Sequence, residues 1–263
     1  MSQDKSPRLR TVAKVKPPFA LNQFPADFGY KLGREIVYLL ATKGSISLEG
    51  SEFEAIFAAC VGAEWKPSNV GLDDIVLDNC VWGAKTVKAG NPATIKRVRL
   101  ISGRNSPAYS FGAAQILQVE PNALGAQILS IWNERVSAVR KFHKHVRTVV
   151  LIKSHDLATL GIFEFATIRY DAELYRWEWN KNNNLVGYDK TEIHRFTWQP
   201  HGSQFTIVEE VPDDCLMIKI QKPDRLDKEM VLKGIGFNQS WVKITKKNSD
   251  ENLFGDSANS EVL

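Results

Sequence analysis

Cysteine is scarce. The 263-residue chain holds three, Cys60, Cys80 and Cys215, and their scatter gives neither a disulfide framework nor a metal-ligand spacing. No apolar run approaches the roughly 18–20 residues of a membrane span, so no membrane partner is expected. Residues 1–10 are polar and basic and lack the apolar core of a secretory signal. A reducing, bacterial cytoplasm is therefore the expected compartment. Gly-x-Gly-x-x-Gly and phosphate-loop lysine motifs are missing, which argues against nucleotide or dinucleotide cofactors. Internal repeats and low-complexity tracts are missing too. His155, His194 and His201 have no Cys or Ser partner at a telling spacing, so nucleophilic catalysis finds no support. His143 and His145, two residues apart, fall on different sides of a helix and predict a basic turn rather than a metal site.

What is present is an ordinary globular composition, 43% apolar and 24% charged, in a chain long enough to bury a full core. The net charge is +4, unevenly spread. Lys5, Arg8, Arg10, Lys14 and Lys16 crowd the first sixteen residues; Lys96, Arg97, Arg99 and Arg104 form a second group; residues 140–147 form a third. Such clusters suit a polyanion, although solvated faces and a loose tail account for any one of them equally well.

Four segments follow from the pattern. Residues 1–26, broken by Pro7, Pro17, Pro18 and Pro25, predict a basic N-terminal arm. Residues 27–160 predict the core. Leu32, Ile36, Leu39 and Leu40 mark a helix over 28–42, and Phe53, Ile56, Phe57, Cys60 and Val61 one over about 52–62. A hairpin comes next, then a strand at 95–102, then a helix over about 122–142. That helix has Asn122 as its candidate cap and Leu124, Ile128, Ile131, Trp132, Val139 and Phe142 on its buried side. Thr148 to Ile152 has the continuous apolar pattern of a buried strand. Residues 161–247 predict short strands at 162–170, 174–180, 185–188, 193–198, 204–209 and 215–220, a β-rich annex continuous with the core. Residues 248–263 predict a disordered tail.

The hairpin carries the chemistry. Asp78 and Asn79 suit a two-residue turn, which pairs Leu77 with Cys80, Val76 with Val81, Ile75 with Trp82 and Asp74 with Gly83. Lys85 then lies diagonally from Asp74 on one sheet face, within roughly 7–8 Å. Asp73 points to the other face. Gly83 is expected to leave open space between the carboxylate and the lysine. Glu54 belongs to the helix just before, with two readings of equal standing: a site carboxylate, or the last member of a Ser51–Glu54 capping box.

This order, helix, hairpin, strand, helix, strand over residues 51–152, resembles the PD-(D/E)XK nuclease superfamily, and most closely its type II restriction endonucleases. The family motif is an Asp opening one strand and acid-x-Lys on the next; here Asp74 is followed by Gly83, Ala84 and Lys85. The resemblance implies an α/β (α+β) fold: a mixed central sheet with flanking helices, a restriction-endonuclease-like core, and the β-rich C-terminal annex. It also implies hydrolysis of double-stranded DNA at a short specific sequence, Mg²⁺ as cofactor, a homodimer, and products with 5′-phosphate ends. By the same resemblance Asp74 is a metal ligand, Glu54 a second carboxylate, the Ala84 carbonyl a further ligand, and Lys85 the group that orients or deprotonates water. The chain departs from the motif where Gly83 replaces its acid, which requires Glu54 to supply that carboxylate.

For DNA contact the candidates are Arg104 and Asn105 after the third strand, and Gln199, His201 and Gln204 in the segment from His194 to Gln204. Both stretches also read as turns satisfying their own backbone. Trp177 and Trp179 share one strand face, which core packing explains more readily than base stacking. Rival functions are a repair, junction-resolving or RNA-directed nuclease, a catalytically inactive nucleic-acid-binding protein, and a plain interaction protein.

Overall fold

The computed structural model describes residues 15–43, 45–67, 71–112 and 115–245. The cations Lys5, Arg8, Arg10 and Lys14 of the basic arm, and the expected tail at 248–263, lie outside the described residues. The described chain up to Pro223 is one compact unit; residues 224–263 belong to a second.

Helix α1 (Phe28–Thr42) buries Phe28, Leu32, Ile36 and Leu40, a stripe at helical spacing. Helix α2 (Gly50–Val61) buries Phe53, Phe57, Ala58 and Cys60 against it. Strands β1 (Glu64–Trp65), β2 (Ile75–Leu77) and β3 (Cys80–Lys88) follow, and the hairpin pairs Ile75 with Trp82, Val76 with Val81 and Leu77 with Cys80. Asp78 takes the positive φ, 52°, that the tight turn demands. Further along lie β4 (Arg97–Arg104), α3 (Pro107–Phe111), α4 (Pro121–Arg140), β5 (His145–Lys153) and β6 (Thr159–Ala166). Strands β7 (Tyr175–Trp179), β8 (Leu185–Asp189), β9 (His194–Gln199), β10 (Gln204–Glu210) and β11 (Leu216–Lys219) complete the unit. In the second unit, Asp227 caps helix α5 (Lys228–Gly234) by accepting from Met230 N at 2.8 Å.

The fold is mixed α/β with two sheets. The first has the order β1-β2-β3-β5-β6-β11 and the second β4-β10-β9-β8-β7. Here the structure corrects the expected core. Strand β4, expected as the third strand of the hairpin's sheet, pairs instead with β10 in the second sheet. Its alternation explains why: Val98, Leu100 and Ser102 are buried while Arg97, Arg99 and Ile101 are exposed, a pattern that needs solvent on one face. The slot beside β3 goes to β5, buried from Val146 to Lys153, which lies parallel to it with Lys85 opposite Val150. The annex is divided too, because β6 and β11 join the hairpin's sheet.

Helices α1 and α2 cover one face of the first sheet; α4 fills the space between its other face and the second sheet. Two details of α4 differ from expectation. Its N-cap is Glu120, which accepts from Asn122 N (3.0 Å) and Ala123 N (2.8 Å), leaving the Asn122 amide oxygen to accept from Trp177 N at 2.8 Å. Phe142 is 84% exposed because the helix has already ended at Arg140. Gly125 of α4 is required by packing: a Cβ there would stand 2.4 Å from the Trp177 ring. Trp177 itself is buried and stacks on Phe196 at 5.6 Å, as core packing requires.

The arm's described part is docked. Arg147, on the row of Trp82, pairs with Glu164 Oε1 at 2.6 Å and donates to the Phe19 carbonyl at 2.8 Å. Trp82 Nε1–H donates to Glu164 Oε2 at 2.6 Å. Asn22 N donates to Glu164 Oε1, and Glu164 N donates back to the Asn22 side chain. Every charge in this buried group has partners, so removing one strands the other. Arg147→Ala and Glu164→Ala are each expected to cost about 3–5 kcal/mol in urea unfolding. A loss under about 1 kcal/mol, the range of a surface pair, would contradict this reading.

Candidate active site

Asp74 closes β2 from the outside: it precedes Ile75, its carbonyl accepts from Lys66 N at 2.7 Å, and its side chain is buried. Strand β2 stops at Ile75, opposite Trp82, so β3 continues from Gly83 to Lys88 with no ladder partner on that side among the described residues. A two-residue turn makes Leu77 and Cys80 a hydrogen-bonding pair, and alternation then turns the main-chain groups of Trp82 and Ala84 toward the same side. The Ala84 carbonyl is thereby directed to the notch beside Asp74.

Glu54 and Lys85 complete the neighbourhood. Burial pulls the Lys85 ammonium below the usual lysine range; Asp74 raises it, Arg135 lowers it and Glu54 raises it. Desolvation likewise lifts Glu54 above the usual carboxyl range, opposed by the Trp65 indole, reinforced by the Asp74 charge and opposed by Lys85. The Asp74 charge thus acts on both Glu54 and Lys85. Two carboxylates crowded in a partly dry notch are a donor set that a hard cation relieves, and Mg²⁺ is held in proteins by one or two carboxylates plus water. Among the described residues no group of three or more His, Cys, Asp or Glu is arranged to hold a metal, so this set is a small one.

Two expectations about the site are corrected. The capping box of α2 is formed by Glu49 and Glu52, because the helix starts at Gly50, two residues before the expected first turn. The Glu49 amide donates to Glu52 Oε2 at 2.7 Å, and Lys43 pairs with Glu52 at 2.7 Å. Glu54 is released from that duty and accepts from Trp65 Nε1 at 3.3 Å. Gly83, expected to leave open space, does not. A Cβ there would stand 2.9 Å from the Gly71 carbonyl oxygen and 3.2 Å from Leu72 Cα. The chain at 71–72 crosses over the strand at the very position where the family motif has its acid.

Arg135 is the residue that sequence reasoning missed. It lies on α4, one residue before buried Val136 and three after buried Trp132. A charge set into that apolar stripe was the available signal. Its Nη1 donates to the Ser102 carbonyl at 2.6 Å, and burial lowers its pKa. It places a second positive charge toward Lys85.

The candidate DNA contacts separate. Asn105 is fully buried: its side chain donates to the Ile128 carbonyl at 3.0 Å, its amide to Ser203 O, and its carbonyl accepts from Trp198 at 2.8 Å. Arg104 is exposed and shares one cross-strand row with Gln204 and Gln199. Gln199 and His201 line a cleft of about 810 Å³ at the end of the second sheet, some elements away from Asp74. No protein-family model matches this chain, and no curated protein or solved structure is significantly similar to it.

Gly83→Ala is expected to lower stability by about 1–3 kcal/mol, the cost of overpacking against a main chain, as a fall in denaturant midpoint. For Glu54 the folded protein holds a proton more tightly than the unfolded chain, so native stability falls as pH rises from about 4.3 through the raised folded value. Glu54→Gln removes that loss: its Tm should decline less than the wild type's across this window. An identical pH profile would contradict the desolvated placement.

Proposed function

We propose that this chain is a Mg²⁺-dependent endonuclease that hydrolyses double-stranded DNA at a specific short sequence as a homodimer. The observation that carries the reading is the desolvated lysine, Lys85, held in the field of Asp74 and Glu54 across a tight hairpin. Support also comes from the resemblance of Asp74 and Ala84-Lys85 on one hairpin to the PD-(D/E)XK motif, although β4 leaves that sheet, and from the exposed arginines of β4. Pseudo-twofold recognition of a palindrome favours two copies.

Asp74 and Glu54 would hold the cation, with the Ala84 carbonyl as a neutral ligand. When bound, Mg²⁺ supplies positive charge to the phosphate oxygens and makes a neighbouring water more acidic. Lys85 takes the proton side of the chemistry. Its lowered pKa leaves a larger neutral fraction than an exposed lysine has, so its amine can accept a proton from the attacking water, and the resulting ammonium stabilises charge developing on the phosphoryl group. Trp65 holds the Glu54 carboxylate in place, and Arg135 keeps the Lys85 proton loosely bound. Contact with DNA is assigned to Arg104, Gln204, Gln199 and His201; Asn105, sealed in the core, is left out.

One observation favours a second reading. The Gly71–Leu72 crossing shuts the motif's acid position, which suits a nucleic-acid-binding protein that no longer cuts.

Long duplex DNA incubated with the purified protein and Mg²⁺ should yield discrete fragments, and a chelator should prevent them. Asp74→Ala and Lys85→Ala are expected to abolish cutting while duplex binding remains measurable. The cleavage rate should rise with pH as the Lys85 ammonium gives up its proton, and Lys85→Arg should lose that rise. Retarded but uncut DNA would establish the second reading; cutting by the Asp74 or Lys85 variant would overturn the assigned site.

A further inference from the structure

The cleft at the end of the second sheet has a chemistry unlike the rest of the surface. Among the described residues no lysine, arginine or carboxylate lines it. Its apolar wall is Trp179 with Leu117 and Pro200, and its polar wall is the turn 182–184 with Gln199 and His201. That turn is three consecutive asparagines joining β7 to β8. Asn180 organises it: its side-chain oxygen accepts from Asn182 N at 2.9 Å and Asn184 N at 3.0 Å, while Asn183 adopts the left-handed backbone, φ 54°. Because Asn180 does this work, the side chains of Asn182, Asn183 and Asn184 make no hydrogen bond among the described residues, and nor does that of Gln199.

Four unengaged carboxamides facing a half-buried indole make a site for a flat, uncharged ligand with donors and acceptors around its rim. Asn and Gln side chains match the edge of a base bidentately, and an indole offers a stacking surface to any base. Such a cleft offers a phosphate no lysine or arginine among its described lining. A cation stands beside it: Arg104 faces Gln204, which faces Gln199, so two strand spacings, roughly 10 Å, separate the main chain of exposed Arg104 from that of Gln199 at the cleft lip.

We propose that this cleft receives one nucleobase of a bound DNA strand, out of its own stack and against Trp179, read on its edge by the 182–184 turn and Gln199. The β4 arginines hold the flanking phosphates. The proposal rests on the nucleic-acid reading above but not on the cleavage chemistry. A base leaves its stack most easily from a single strand or a mismatch, so such DNA should bind more tightly than a matched duplex of equal length.

The test is fluorescence anisotropy of labelled single-stranded, mismatched and matched duplex oligonucleotides, across a salt series, with the full chain. Asn182→Ala and Gln199→Ala remove an exposed and a half-buried amide without touching the left-handed position, so the fold should survive, which circular dichroism checks. Each is expected to weaken binding of the single-stranded and mismatched DNA by about tenfold and to erase their advantage over matched duplex. The slope of log affinity against log salt should stay unchanged, since no cation is removed; Arg104→Ala should instead lower that slope by about one. Wild-type affinity and preference in both cleft variants would overturn the base site even if the protein cuts DNA. Loss of preference in a protein that never cuts would support it and count against the nuclease. Failure of the wild type to bind any of the three at low salt would overturn both.

Discussion

A carboxylate that should not tolerate burial sets the frame for everything else in the molecule. Glu164 is buried on β6 of the first sheet, and three groups donate to its carboxylate in place of water: Arg147, the Trp82 indole and the Asn22 amide; the Glu164 amide in turn donates to the Asn22 side chain. They come from β5, β3 and the N-terminal segment, so satisfying one charge pins three parts of the chain at once. Phe19 stacks on Trp82 at 5.8 Å, and Arg147 lies over both rings, which keeps the region dry. Trp82 is three residues before Lys85 on the same strand. The registration of the candidate site is inherited from this buried group on the opposite face of the sheet.

On the site face, the governing feature is a close crossing of main chain. Gly71 and Leu72 lie over Gly83, and the absence of a side chain there is a condition of the hairpin closing as it does. The same contact excludes any side chain, a carboxylate included, from that strand position. Glu54 of α2 stands free of capping because Glu49 and Glu52 carry it. The site is accordingly built from one strand end, one helix and one buried lysine. Arg135 from α4 makes that lysine less willing to keep its proton.

On the proposed reading, the Lys85 notch and the cleft of the second sheet divide the work a DNA strand would require. Around Lys85 the groups are charged and desolvated, suited to moving protons near a phosphate. The cleft at the end of the second sheet is neutral and rich in amides, suited to the uncharged part of a nucleotide. Exposed arginines on β4 connect the needs of both, since an edge strand can leave one face in water.

Local patterns in the chain determined a good deal. The spacing of Leu32, Ile36 and Leu40, the short turn-bounded runs of the six C-terminal strands and the Asp78–Asn79 turn are short-range signals, and each produced its element because such preferences belong to neighbouring residues. The pairing of Ile75 to Leu77 with Cys80 to Trp82 was legible from the Asp78–Asn79 turn. What no local pattern could state was which surfaces meet. Strand β4 looked like the next strand of the first sheet, and only competition with the more apolar β5 sent it to the second. Gly83 looked open until a segment twelve residues upstream crossed it. Asn105 read as a loop side chain and proved to be sealed by α4 and Trp198. Arg135 drew no notice until its burial against Ser102 showed it. Each of those outcomes depends on a contact between segments distant in sequence, where the burial of apolar area and the satisfaction of buried polar groups are decided for the whole molecule at once.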